Sequence, residues 1–201
     1  MIKKKLNEID SSYPKFWQSS WLLFVLFIAY TLSFIDRQIL TLLVDPIQKS
    51  IGLSDFEISL LHGFAFAIFF SIAGLPLGRL ADHANRRVII GTGIATWSLM
   101  TALCGLAKSF SHLFVARMCV GIGEASLMPS AYSMLSDAFP PKKLNTAIAI
   151  FSMGGTLGTG LALIGGGALI TLVSTMDILN LKAVFGFESW QVCFLFVDHE
   201  A

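Results

Sequence analysis

Four ionisable residues stand inside long apolar runs. Asp36 and Arg37 interrupt one run, and Arg117 and Glu124 interrupt another. A charge held at the middle of a bilayer costs ~2.5–3.5 kcal/mol on insertion scales, so such groups face a cavity or a partner and mark ion or ligand pathways. The two arginines could meet a phosphate or carboxylate, or could pair with the two acids. A carboxylate in a dry cavity has its charged form disfavoured. Asp36 or Glu124 could therefore take up a proton in one conformation and release it in another. The plainer alternative is that Asp36 and Arg117 form a buried pair that only holds helices together. Adjacent helical residues project about 100° apart, so Asp36 and Arg37 cannot face the same neighbour. Arg117 and Glu124, seven residues apart, share a face and are separated by about 10 Å along the axis. Gly121 lies between them on nearly that face, leaving room for a neighbouring helix or a ligand.

The elements that must hold these groups are membrane helices. Of 201 residues, 55% are hydrophobic and 13% charged, with mean hydropathy +0.73. Soluble domains carry about 25% charged residues, so the composition excludes a soluble enzyme or nucleic-acid binder and predicts an all-α membrane fold. A bilayer core about 30 Å thick takes about 20 apolar residues per helix. Five segments qualify: 21–44, 58–81, 88–107, 113–139 and 146–173. A sixth run, 190–197, rises only about 12 Å and cannot cross. The chain thus divides into a cytoplasmic segment 1–20, a helical unit 21–197 and a polar tail 198–201. Ser54-Asp55-Phe56-Glu57 has capping-box spacing, Pro140-Pro141 ends the fourth helix, and Asn145 is suited to cap the fifth.

Other chemistry is thinly supported. Cys104, Cys119 and Cys193 lie in apolar stretches, an odd count without disulfide or zinc spacing. The glycines form no phosphate-binding loop, and His62, His83, His112 and His199 are scattered over different elements. No enzyme, metal site or cofactor is expected. His62 reads either as a satisfied polar residue or as a ligand or relay, while Tyr30 and Trp97 fit packing.

Loop cations set the orientation. With the N-terminus in the cytoplasm, inside segments hold Lys3, Lys4, Lys5, Lys15, Arg79, Arg86, Arg87, Lys142 and Lys143. Outside segments hold Lys49, Lys108 and Lys182. Nine against three predicts a multi-pass protein of the cell membrane with a cytoplasmic N-terminus, and it also supports the helix count.

Between the second and third helices the chain reads Gly78-Arg79-Leu80-Ala81-Asp82-His83-Ala84-Asn85-Arg86-Arg87. Gly78, Asp82, Arg86 and Arg87 resemble the signature loop of the major facilitator superfamily. Asn85 stands where that family usually has glycine, and His83 where it often has arginine. The run Arg117-Met118-Cys119-Val120-Gly121-Ile122-Gly123-Glu124-Ala125 resembles the family's arginine-centred fourth-helix motif. Together with Asp36-Arg37 it is most similar to the spinster-like branch, whose members include lysophospholipid and sphingolipid transporters; the anion:cation symporter branch is the alternative. The resemblance implies the N-terminal six-helix half of a transporter built from inverted helix triplets. It implies that Asp82 contributes to a cytoplasmic gate. It also implies that Asp36/Arg37 and Arg117/Glu124, each in the first helix of a triplet, converge at the midplane.

In the fifth helix Gly154 and Gly158 have small-xxx-small spacing, which favours close helix packing. The implied partners are the bilayer, a small-molecule substrate, and the missing C-terminal half or another transporter chain; nucleic acid is excluded. The sixth helix stops short and a second half does not follow. The chain is therefore read as truncated and not expected to transport alone, with a non-transporting membrane partner of a full-length relative as the alternative. The leading expectation is secondary active transport of an amphipathic lipid-like molecule or organic anion by alternating access, with proton coupling.

Overall fold

The computed structural model describes residues 13–178 together with Trp190, Gln191 and Phe194. Among these residues the secondary structure is helical, with no strand. Helix α1 spans Phe16–Leu42 and α2 Val44–Ile51; α3 is Asp55–Ser59, followed by a π-helical turn Leu60–Ala65 and α4 Phe66–His83. Then come α5 Arg86–Gly105, α6 Phe110–Glu124, α7 Leu127–Ala138 and α8 Pro141–Ile178. Four rods are long and apolar enough to cross a membrane: Phe16–Leu42, Asp55–His83, Arg86–Gly105 and Pro141–Ala168.

Local chemistry explains where these helices differ from the expected bounds. The second rod starts on a complete capping box: the Ser54 hydroxyl accepts from the Glu57 backbone N–H at 3.3 Å, and the Ser54 N–H donates to Glu57 Oε2 at 2.8 Å. Helix α1 begins five residues before the apolar run and breaks at Leu43 instead of reaching Val44. Pro46 has no N–H to donate to the Leu42 carbonyl, so the helical ladder is interrupted there. Helix α2 closes on Gly52, whose φ of +77° favours a residue without Cβ.

The single fourth helix expected over 113–139 is two helices, α6 and α7, divided at Ala125-Ser126. Pro129 cannot bond the Ala125 carbonyl. The Ser126 N–H instead reaches the Gly123 carbonyl at 3.2 Å, and the Ser126 hydroxyl donates to the same oxygen at 2.8 Å. Helix α8 starts earlier than 146 because Pro141 suits the first helical position. Cys104 and Cys119 are free thiols. Residues 1–12, most of the run 190–197, the tail 198–201 and Cys193 lie outside the described residues.

Helix α1 packs chiefly along α8, and α6 packs against α4 and α5. Two apolar clusters form the core. One gathers Ile39, Leu40, Cys104 and Leu113 with Trp190 and Phe194; the other gathers Leu26, Phe66, Trp97, Val120 and Phe151. Many large apolar side chains face outward, among them Trp17, Ile72, Leu75 and Ile164. That suits a solvent of lipid.

Candidate functional site: a polar layer across the helices

Reading along three helices places a polar layer between the two apolar clusters. On α1 the clusters take Leu26 and Ile39, with Ser33, Asp36 and Arg37 between them. On α5 they take Trp97 and Cys104, with Thr101 between; on α6 they take Leu113 and Val120, with Arg117 between. Asp36, Arg117 and Glu124 are buried, Arg117 to 1% and Glu124 to 2% exposure.

The geometry separates the two neighbours on α1. Arg37 Nη2 lies 2.5 Å from Glu124 Oε2, joining α1 to α6, and the Ser33 hydroxyl donates to the same oxygen at 3.0 Å. Asp36 points elsewhere: its Oδ2 accepts the Thr101 hydroxyl of α5 at 2.7 Å. The Arg37 guanidinium carbon also sits 4.9, 4.4 and 5.5 Å from the ring centroids of Phe34, Phe66 and Phe70. Arg117 shares the Phe66 ring at 5.7 Å. One phenyl ring therefore serves two guanidinium groups, an attraction that strengthens when water is excluded. Among the described residues, Arg117 Nε and Nη1 and Glu124 Oε1 have no hydrogen-bond partner. Each such buried group costs about 1–3 kcal/mol, so the layer holds polar capacity beyond what its own side chains use.

Close backbone approach makes the layer compact. A Cβ on Gly121 would stand 2.9 Å from the Phe66 carbonyl oxygen, so α4 reaches α6 directly between Arg117 and Glu124. On the other side, a Cβ on Gly158 would lie 2.4 Å from the Thr31 carbonyl oxygen, and one on Gly154 3.0 Å from that of Phe27.

The loop residues form a separate group at the opposite end of α4. Arg86 Nε donates to the Ala81 carbonyl at 3.0 Å, and its Nη1 pairs with Asp137 on α7. Asn85 caps α5 by accepting the Arg87 backbone N–H at 3.1 Å. Gly78 faces Pro129 of α7, and Asp82 and Arg87 are exposed. A cavity of about 690 Å³ lies nearby between the N-terminal parts of α1 and α5 and the end of α7, lined by Trp17, Leu22, Leu26, Arg87 and Ile90. Trp190 and Phe194 lie elsewhere, in the other apolar cluster with Ile39, Leu40 and Cys104.

Ser33, Thr101, Phe66 and Asp137 were not among the residues singled out from sequence. Ser33 stands one helical turn before Arg37 and so was findable; hydroxyl residues such as Thr101 are too common in membrane helices to signal by themselves.

The chain that builds this layer is matched by known proteins. The Major Facilitator Superfamily profile matches residues 26–197. The chain belongs to the Major Facilitator Superfamily. Within it, the chain is spinster-like: it superposes with TM-score 0.82 and 37% identity on a crystal structure of a bacterial homolog of the human lysosomal transporter Spinster, inward-facing and unoccupied. That match covers 93% of this chain and 41% of the other. An MFS-type efflux pump of Mycolicibacterium smegmatis is 31% identical over 145 residues, covering 72% of this chain and 34% of the pump. A probable L-galactonate transporter of Escherichia coli is 31% identical over 138 residues, covering 69% and 30% respectively. The matched stretch thus spans about a third of these curated relatives, and the chain is that of a membrane protein.

Proposed function

We propose that this chain forms the N-terminal six-helix half of a secondary active transporter of the cell membrane, with its N-terminus in the cytoplasm. The cargo is an amphipathic, lipid-like anion moved by alternating access and coupled to protons. The observation that carries this reading is the Arg37–Glu124 pair: a buried carboxylate on α6 held by a partly exposed arginine on α1. Arg37 and Ser33 of α1 both donate to the Glu124 carboxylate. Protonation of Glu124 releases Arg37, which remains among Phe34, Phe66 and Phe70, able to meet an anionic head beside an apolar body. Asp36 and Arg117 form the second charge set of the same layer.

Gly78, Asp82, Arg86 and Arg87 fit a cytoplasmic gate. Arg86 is engaged within this half, whereas exposed Asp82 makes no hydrogen bond or ion pair among the described residues. A partner on a second half, in another chain or in more of this one, would complete it. The second reading is an anion:cation symporter for a sugar acid, favoured by the likeness to the probable L-galactonate transporter. A non-transporting partner of a full-length relative is the third.

Proteoliposomes separate these readings. The chain is reconstituted alone and with the C-terminal half of the spinster homolog, and uptake of labelled lysophosphatidylglycerol and of galactonate is followed under an imposed pH gradient. Saturable, gradient-dependent uptake of the lysophospholipid supports the first reading, and galactonate uptake supports the second. Uptake of neither, in either preparation, contradicts transport.

A further inference from the structure

The polar layer leaves the outer part of the same helix face unused. On α1, Phe34, Arg37 and Thr41 recur at helical spacing; on the neighbouring rod, His62, Phe66 and Phe70 do the same. Phe66 and Phe70 meet Arg37. About one turn, or 6 Å, further along α1, His62 Nε2 lies 2.6 Å from Thr41 Oγ1. Thr41 Oγ1 in turn is 3.4 Å from Gln38 Oε1, beside Arg37. His62 belongs to the π-helical turn Leu60–Ala65. Such turns re-aim the side chains they carry and concentrate at functional sites. His62 and Thr41 are both exposed, and the Arg37 side chain is 30% exposed, whereas the Glu124 side chain is 1% exposed. The polar groups thus step inward from the exposed surface of this half to the buried carboxylate.

We infer that His62 is the group through which protons from the outer side reach Glu124. The inference rests on the proton-coupled reading above. Imidazole changes charge near neutral pH, which no other side chain does when unperturbed. The ring accepts a proton on Nδ1 and releases the one on Nε2 to the Thr41 hydroxyl. That hydroxyl passes its own proton to solvent beside Arg37, and Glu124 takes it up. His62 and Thr41 end with the proton counts they began with, Arg37 keeps its protons throughout, and Glu124 gains one. The elements packed against this turn carry Asp55 and Glu57 on α3, Arg79, Asp82 and His83 at the far end of α4, and His112, Arg117 and Glu124 on α6, while α1, joined through Thr41, carries Asp36 and Arg37. The side-chain partner of His62 in this turn is Thr41.

The test uses the 201-residue chain in phosphatidylethanolamine/phosphatidylglycerol nanodiscs. A photochemical pH jump is followed by time-resolved infrared spectroscopy. The carbonyl band of protonated Glu124 is assigned by its absence in Glu124→Gln. His62→Ala is expected to slow the rise of that band at least tenfold while leaving its final amplitude intact, and 4-methylimidazole in the buffer restores the rate. His62→Gln, which can keep the bond to Thr41 without carrying a proton, is expected to be equally slow. An unchanged rate in both variants, or slowing that imidazole does not relieve, overturns the relay and leaves the coupling reading standing. A wild-type chain that shows no such band overturns the coupling reading and the relay with it.

Discussion

Replacing Gly158 by alanine tests the packing of α1 on α8, which fixes where Arg37 stands. The added Cβ would lie 2.4 Å from the Thr31 carbonyl oxygen and 2.8 Å from Phe34 Cβ. Favourable contact begins near 3.5 Å, so the two backbones must part by about 1 Å. Neither obstacle is the end of a flexible side chain, so rotation offers no relief. Overpacking of this kind costs about 1–3 kcal/mol. Alanine also gains about 0.8–1 kcal/mol over glycine in a helix interior, so the single variant understates the clash. Gly160 on the same helix supplies the control, because a Cβ there meets nothing within 4 Å. The difference between Gly158→Ala and Gly160→Ala removes the propensity gain and leaves about 1–3 kcal/mol of steric cost. Gly154→Ala should fall between them, its Cβ meeting Phe27 O at 3.0 Å and Thr31 Oγ1 at 3.1 Å. Unfolding in mixed micelles by dodecyl sulfate, followed by tryptophan fluorescence and far-ultraviolet circular dichroism, gives the three values. Equal stability of Gly158→Ala and Gly160→Ala would refute the argument.

Three further outcomes follow from contacts elsewhere. Thr101→Val removes the hydroxyl that serves buried Asp36 and should destabilise the fold by about 1–3 kcal/mol, whereas Thr101→Ser should restore most of it in the same unfolding assay. Ser54→Ala takes away the capping box and should cost about 1 kcal/mol, seen as faster amide exchange confined to the first turn of α3. Asp137→Asn should change unfolding by less than about 1 kcal/mol, because the Asp137 side chain is 66% exposed and the Arg86 pair is a surface one.

How much was legible in the sequence depended on whether a feature was periodic or tertiary. The divergence of Asp36 and Arg37 followed from their 100° separation, and the structure sends one to α5 and the other to α6. The capping box at Ser54 was legible because its partners lie three residues apart. The division between α6 and α7 was hidden by unbroken apolar composition, although Pro129 stands four residues after Ala125 and Pro46 four after Leu42. A proline in a first turn is compatible with a helix start, so the same residue can begin one helix or end another. The Arg86–Asp137 and Ser33–Glu124 contacts join residues 51 and 91 apart, and no local pattern announces them. The cavity lined by Trp17, Leu26, Arg87 and Ile90 likewise joins residues distant in the chain.

The claim on which the rest depends is that Glu124, held by Arg37, is the carboxylate that links proton binding to cargo movement. Its most direct test is uptake of labelled lysophosphatidylglycerol against its own gradient, driven by an imposed pH difference, comparing Glu124→Gln with the unaltered protein in the preparation that transports. The unaltered protein is expected to concentrate the lipid, while Glu124→Gln equilibrates it without concentrating it. Accumulation by Glu124→Gln equal to that of the unaltered protein would remove Glu124 from the coupling.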